Sequence, residues 1–299
     1  MIVLVLGAYG MLGHKMFNQL DDGLKTYGTC RAARKNPGLS SLMPMDRLVA
    51  GVDASSIQTV ENAIKKFQPD AVVNCVGIIK QLKEAKDPIP SIEINSLFPH
   101  RLAKICRDNR VRLIHFSTDC VFSGKKGFYV PEDLPDAEDV YGRSKLLGEV
   151  SGEGCLTIRS SIIGRELFTR NGLLEWFIGN SGGRVAGYKK AIYSGFTTNE
   201  MVRIVNRLLV KHPDVSGVWH VASEPISKYD LLRMINHKMD LNIEVMPDES
   251  VVCDRSLDGM SFNGRTGYVP PSWSAMIDEI SSEDATNYRL LKEKDVKRC

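Results

Sequence analysis

Tyr141-Gly-Arg-Ser-Lys145 is a YxxxK spacing at the start of a stretch that reads as a helix over 141–150. On a helix the i, i+4 spacing puts both side chains on one face. A free tyrosine titrates near ~10 and is a poor acid or base at neutral pH. An ammonium beside it favours the phenolate and brings that value down. A phenol so placed can give a proton to a carbonyl oxygen as hydride arrives, or take it back in reverse. A third group stands upstream, in Phe116-Ser-Thr118-Asp119-Cys120-Val-Phe-Ser-Gly124. Thr118 directly follows an apolar run, so its hydroxyl sits at a strand end. There it can align the oxygen that Tyr141 protonates, or it can cap the strand.

The hydride source is read from the N-terminal motif. Gly7-Ala-Tyr9-Gly10-Met11-Leu12-Gly13 is GxxGxxG, directly after the apolar run 2–6 and at the mouth of an amphipathic stretch. The first glycine permits a tight turn, the middle one lets the backbone approach a pyrophosphate, and the last lets helix and strand pack closely. A helix N-terminus adds free N–H groups and a positive dipole end. A glycine triplet alone means little, but a strand before it and a helix after it make a nicotinamide dinucleotide site. Gly7, Tyr9, Gly10, Met11, Leu12 and Gly13 are its expected contacts.

The next strand end chooses between cofactors. An NAD site usually carries an acid there, and an NADP site often carries Arg. The run Gly28-Thr-Cys-Arg31-Ala-Ala-Arg34-Lys35 has three cations and no acid. Arg31, helped by Arg34 or Lys35, is the candidate for the 2′-phosphate; the other reading is a solvated basic loop. NADPH is favoured and NADH stays open. Asp53 reaches the adenine edge or forms a turn. Asn74, Val76 and Gly77, at the end of the fourth strand, line the cofactor's path or form a turn of their own.

These residues need a scaffold, and the chain supplies alternating elements. Strands are expected at 2–6, ending at 27–31, and at 70–76, 111–116 and 155–159; helices at 11–20, 57–67, 92–107 and 141–150. Such alternation implies an α/β fold, a Rossmann-type doubly wound parallel sheet, with strands that are apolar runs because helices cover both faces. The pattern changes near residue 165. Glycines cluster at Gly179, Gly182, Gly183 and Gly187, helices recur at 200–211, 228–239 and 273–280, and the strands between them look short. This gives a nucleotide-binding domain over 1–164 and a smaller, mostly helical substrate region over 165–299, with some segments returning to the first domain. Ligands in open α/β sheets sit beyond the carboxyl ends of the strands, where that second region should lie. The charged tail, 281–299, is a terminal helix or a frayed end.

Composition bounds the function classes. With 43% hydrophobic and 25% charged residues the chain matches globular averages. A net charge of +3, without a long basic block, does not point to nucleic acid. No run approaches the ~18 apolar residues that span a bilayer, and the apolar start is too short for a signal peptide. A cytoplasmic protein without membrane contact is expected. Seven cysteines and six histidines are scattered without CxxC or HExxH, so neither a disulfide framework nor a metal site is expected.

At GAYGMLG, STDCVFSG and YGRSK the chain resembles the extended short-chain dehydrogenase/reductase superfamily, and within it the dTDP-4-dehydrorhamnose reductase-like branch. The likeness runs on to Ser256-Leu-Asp258 and covers most of the chain. It implies a catalytic triad of Thr118, Tyr141 and Lys145, with Lys145 also on the nicotinamide ribose. It implies reduction of a 4-keto group on a nucleotide-linked 6-deoxysugar with NADPH or NADH, and a homodimer as the family default. Asp119 and Cys120 are implied substrate contacts, although Cys120 replaces the family's usual aromatic, which bears on the substrate more than on the chemistry. The family's substrate strand matches Arg159-Ser-Ser-Ile-Ile-Gly164, making Arg159 a substrate candidate or a structural ion pair. The run 78–83 reads as a distinctive substrate loop. Related 4,6-dehydratases need Asp-Glu after the threonine, and Asp119-Cys120 cannot replace it. A nucleotide-sugar epimerase is an alternative. So is a non-catalytic NADP-binding subunit like the beta subunit of methionine adenosyltransferase, which resembles the same branch; the complete triad argues for catalysis.

Overall fold

The computed structural model describes residues 1–20, 23–34, 36–283 and 285–296. Apolar runs form the middle of the molecule. β1 (Ile2–Leu6), β2 (Lys25–Cys30), β3 (Leu48–Ala50), β4 (Ala71–Asn74), β5 (Arg112–Phe116) and β6 (Cys155–Arg159) lie parallel in one sheet, in the order β6-β5-β4-β1-β2-β3. A seventh parallel strand, Gly217–His220, comes back from the C-terminal half and pairs with β6. Successive side chains of a strand point to opposite faces. In β1 this sends Val3 and Val5 into one apolar cluster and Leu4 and Leu6 into another, on the two sides of the sheet. Both sets are buried, which is why the strand is apolar throughout.

The chain runs from β1 outward to β2 and β3, then crosses back to β4 on the other side of β1. That reversal opens a crevice at the carboxyl ends of β1 and β4. Helix α1 (Met11–Gln19) leaves the end of β1, and α2 (Ile57–Phe67) packs Val60, Ala63 and Ile64 under the opposite face. The expected helix at 92–107 is longer and irregular. It starts at Pro88, where the Asp87 carboxylate caps Ile89 N–H at 3.0 Å, and runs to Asp108 through a π-helical segment, Ile92–Leu97.

The C-terminal half differs from expectation. It is mixed rather than mostly helical, and two of its strands are long. Arg184–Tyr193 and Glu244–Asp254 pair in parallel, with Ile226–Ser227 antiparallel on the far edge of the first. These strands carry Lys189, Lys190, Asp248 and Glu249 and are largely exposed. A strand covered on one side only lacks the apolar run that marks a buried one. Helices Thr198–Val210 and Lys228–Met239 stand where the sequence places them, and the former packs on α1. The tail forms helix Ala285–Val296, whose Tyr288 and Leu291 are buried with Phe17, Leu39 and Met43. No helix of the described residues is long and apolar enough to cross a membrane.

Candidate active site

The glycine motif forms a tight cradle at the crevice. Gly7 has φ +81°, a left-handed value that favours glycine. A Cβ on Gly13 would stand 2.0 Å from the Gly7 carbonyl oxygen, so only glycine lets α1 dock on the turn. Gly10 caps α1 with no side chain to accept from the first-turn N–H groups, and that turn holds no acid. Met11 is half-buried and Leu12 buried on α1. This glycine-lined cradle with a bare helix N-terminus fits the pyrophosphate of a dinucleotide.

Across the crevice, the Asn74 side chain is buried. Its Oδ1 accepts from Val76 N–H at 3.1 Å and its Nδ2 meets His115 Nδ1 at 3.0 Å. Asn74 thereby shapes the turn that presents half-buried Val76 and exposed Gly77. Asn95, inside the π-helical segment, clamps the same loop. It exchanges hydrogen bonds with Ile78 N–H and C=O at 2.9 and 3.1 Å and reaches Ser144 Oγ at 3.3 Å. Sequence reading passed over Asn95, since nothing in its spacing shows that the helix bulges there.

At the end of β2, Arg31 is exposed. Arg34 donates its N–H to Tyr9 Oη at 3.1 Å, and its guanidinium lies 4.0 Å from the centre of the Phe168 ring. Tyr9 meets Phe168 edge-on at 5.5 Å. Lys35 lies outside the described residues. Asp53 Oδ1 accepts from both Ser55 N–H and Ser55 Oγ at 2.9 Å, so it forms the turn ahead of α2.

The YxxxK helix, Val140–Leu147, is capped by Asp139, which accepts from Gly142 N–H at 2.7 Å. Thr118 is 5% exposed at the end of β5. Its hydroxyl accepts from Cys120 N–H at 3.1 Å and donates to Asp119 Oδ1 at 3.0 Å, and it lies close enough to the Tyr141 phenol to influence its titration. It is therefore a cap, set beside Tyr141. Lys145 Nζ is buried and donates to the Phe116 carbonyl at 2.5 Å. A Cβ on Gly77 would lie 3.9 Å from that ammonium, which places Lys145 beside the crevice.

The electrostatics depart from the simple expectation. Burial pushes the Tyr141 phenol above its ordinary value, the Cys120, Asp119 and Asp139 groups add to the rise, and the nearby Thr118 hydroxyl opposes it. In the chain by itself desolvation thus outweighs any help from Lys145. Burial also brings Lys145 down to about 8, with Glu149 opposing. The neutral phenol is the form a proton donor needs.

Around this centre, Asp119 is 8% exposed and burial pushes the Cys120 thiol up to about 12. Two cations bear on it. Lys80, from the 78–83 loop, bridges Asp139 at 2.7 Å, and Arg255, from the C-terminal half, donates to the Phe122 and Ser123 carbonyls at 2.8 and 3.1 Å. Arg159 takes the ion-pair alternative. Its Nε and Nη2 each hold Glu149 at 2.8 Å, and Nη1 meets His220 at 3.2 Å.

The profile of the RmlD substrate binding domain matches residues 1–164. The chain is 30% identical over 151 residues to the probable low-salt glycan biosynthesis reductase Agl14 of Haloferax volcanii, covering 50% of this chain and 48% of that protein. It is 27% identical over 147 residues to methionine adenosyltransferase 2 subunit beta of Rattus norvegicus, covering 49% and 41%. The chain thus matches about half the length of these curated relatives or less. In three dimensions it is similar to the dTDP-4-dehydrorhamnose reductase of Bacillus anthracis solved in complex with NADP, with TM-score 0.76, 19% identity and coverage of 93% and 98%. That likeness establishes the shared fold. Taken with the glycine cradle and the Thr118–Tyr141–Lys145 cluster, the match over more than half its length places this chain in the RmlD substrate-binding-domain family of the extended short-chain dehydrogenase/reductases.

Proposed function

We propose that this protein is an NADPH-dependent reductase of a nucleotide-linked 4-keto-6-deoxysugar. The observation that carries the reading is the close packing of the YxxxK helix on the Thr118 loop, through Gly142 against the Cys120 carbonyl, with the Lys145 ammonium held on Phe116 beside Gly77. A bound nicotinamide supplies hydride to the carbonyl carbon. Tyr141 Oη gives its proton to the carbonyl oxygen, and Thr118 Oγ1 orients that oxygen. Gly7, Gly10 and Gly13 hold the pyrophosphate. Arg31 takes the 2′-phosphate. The C-terminal half, which brings Arg255 up to Cys120, selects the sugar nucleotide.

The test is NADPH oxidation by the full chain against a panel of nucleotide-linked 4-keto sugars. Turnover with one of them that fails with the matching 4-hydroxy sugar supports the reading. The similarity to methionine adenosyltransferase 2 subunit beta favours one second reading, a cofactor-binding subunit without turnover. Tight NADPH binding with no oxidation across the whole panel would select it.

A further inference from the structure

One phenol at the carboxyl end of the sheet has no role in the scheme above. The Tyr193 hydroxyl is buried and has no hydrogen-bond partner among the described residues. Nearly all buried polar groups are paired, and one left unpaired destabilises the fold. Its position is built rather than incidental. Tyr193 ends the strand Arg184–Tyr193, and its ring packs 5.4 Å from that of Trp273. A Cβ on Gly195 would stand 2.5 Å from Tyr193 Oη and 2.2 Å from the Ser161 carbonyl oxygen. Glycine at 195 thus clears the space the phenol fills, next to Ser161, which lies two residues past the end of β6. Next to β6 lies β5, whose end carries Thr118 and Asp119. Asp119 is close enough for its charge to add to burial in keeping the Tyr193 phenol neutral.

A neutral phenol can donate one hydrogen bond and accept another. We propose that Tyr193 is a specificity-determining contact from the C-terminal half, its unpartnered hydroxyl bonding a ring hydroxyl of the sugar held against Thr118 and Asp119. This rests on the keto-sugar reductase reading. It explains why the chain keeps a buried donor that its own fold leaves unused: the cost falls on the free protein and is relieved by the substrate.

The experiment uses full-length Tyr193→Phe loaded with NADPH. The substrates are the keto sugar that the wild type reduces and its 2-deoxy and 3-deoxy analogues. Removing an unbonded hydroxyl should leave the melting temperature without sugar unchanged or raised, and leave NADPH affinity unchanged. KM for the full substrate should rise about 3- to 10-fold, the loss of one neutral hydrogen bond, with a much smaller change in kcat. The wild type's preference for the full substrate over one deoxy analogue should shrink by the same factor. An unchanged KM with an unchanged preference would overturn the proposal, and so would a clear drop in melting temperature, which would mean that the fold itself uses the hydroxyl. A wild type that reduces no keto sugar would instead defeat the reductase reading, and this proposal with it.

Discussion

Gly142 of the YxxxK helix and Cys120 of the Thr118 loop approach so closely that a Cβ on Gly142 would lie 2.2 Å from the Cys120 carbonyl oxygen. The two segments come from different parts of the sheet edge, and this contact sets how near Tyr141 comes to Thr118. Gly142→Ala must push the helix away from the loop. A misplacement of about 1 Å can cost on the order of 10²-fold in rate. The variant should lose turnover by about that factor while NADPH affinity changes little. Turnover at the wild-type rate would show that the close approach does not position Tyr141.

Buried histidines make the fold acid-sensitive. Burial holds His14 down at about 3 and His220 at about 4, and lowers His115 as well. Each stays neutral in the folded chain at a pH where the unfolded chain, titrating near 6.5, binds a proton. Their contribution is complete above pH 6.5 and is lost as pH falls toward those lowered values. The slope is about 1.4 kcal/mol per pH unit for each group. Unfolding free energies from urea titrations at pH 7 and pH 5 should therefore differ by roughly 2 kcal/mol for each of His14 and His220. His14→Gln, which removes the contact to Tyr288 Oη at 2.9 Å, should be less stable at pH 7 but have a shallower pH slope. A slope equal to wild type would exclude His14 as a source.

Cofactor choice can be tested at Arg31, exposed at the end of β2 with no acid in the run 28–35. Arg31→Ala should weaken NADPH binding and hardly touch NADH. Arg34 is placed differently, stacked on Phe168 and tied to Tyr9 through its N–H. Its loss should affect both cofactors, because it disturbs the wall beside the cradle rather than a single phosphate. Equal losses for the two cofactors in Arg31→Ala would remove Arg31 from the 2′-phosphate role.

How much of this was legible beforehand depended on distance along the chain. β1, the glycine turn and α1 were readable because one short segment carries strand period, turn chemistry and helix period together. The YxxxK pair was readable because four residues on a helix fix a shared face. Arg159 stayed ambiguous because its partners, Glu149 and His220, lie 10 and 61 residues away. Tyr193 was missed for the same reason: its place against Gly195, beside the Ser161 carbonyl, depends on pairing in a half-exposed sheet whose strands lack an apolar signature. The raised Tyr141 pKa was also out of reach, since desolvation comes from packing that no local spacing encodes.

Tyr141 and Lys145 should separate when each is replaced. Tyr141→Phe removes only a hydroxyl, so fold and cofactor site should survive. General acid catalysis supplies about 10²–10⁴-fold, and turnover should fall by that order with NADPH affinity kept. Lys145 is different because its ammonium, buried against the Phe116 carbonyl, stands beside Gly77 at the crevice. Lys145→Met leaves that carbonyl without its donor and removes the charge next to the crevice, so both turnover and NADPH affinity should drop. The pH profile offers a further separation. Lys145 sits at about 8 in the chain by itself, so NADPH affinity should weaken as pH rises through that value and the ammonium is lost, and Lys145→Met should flatten this dependence. Turnover at the wild-type rate in Tyr141→Phe would defeat the proton-donor assignment and leave the cofactor-binding subunit as the better reading.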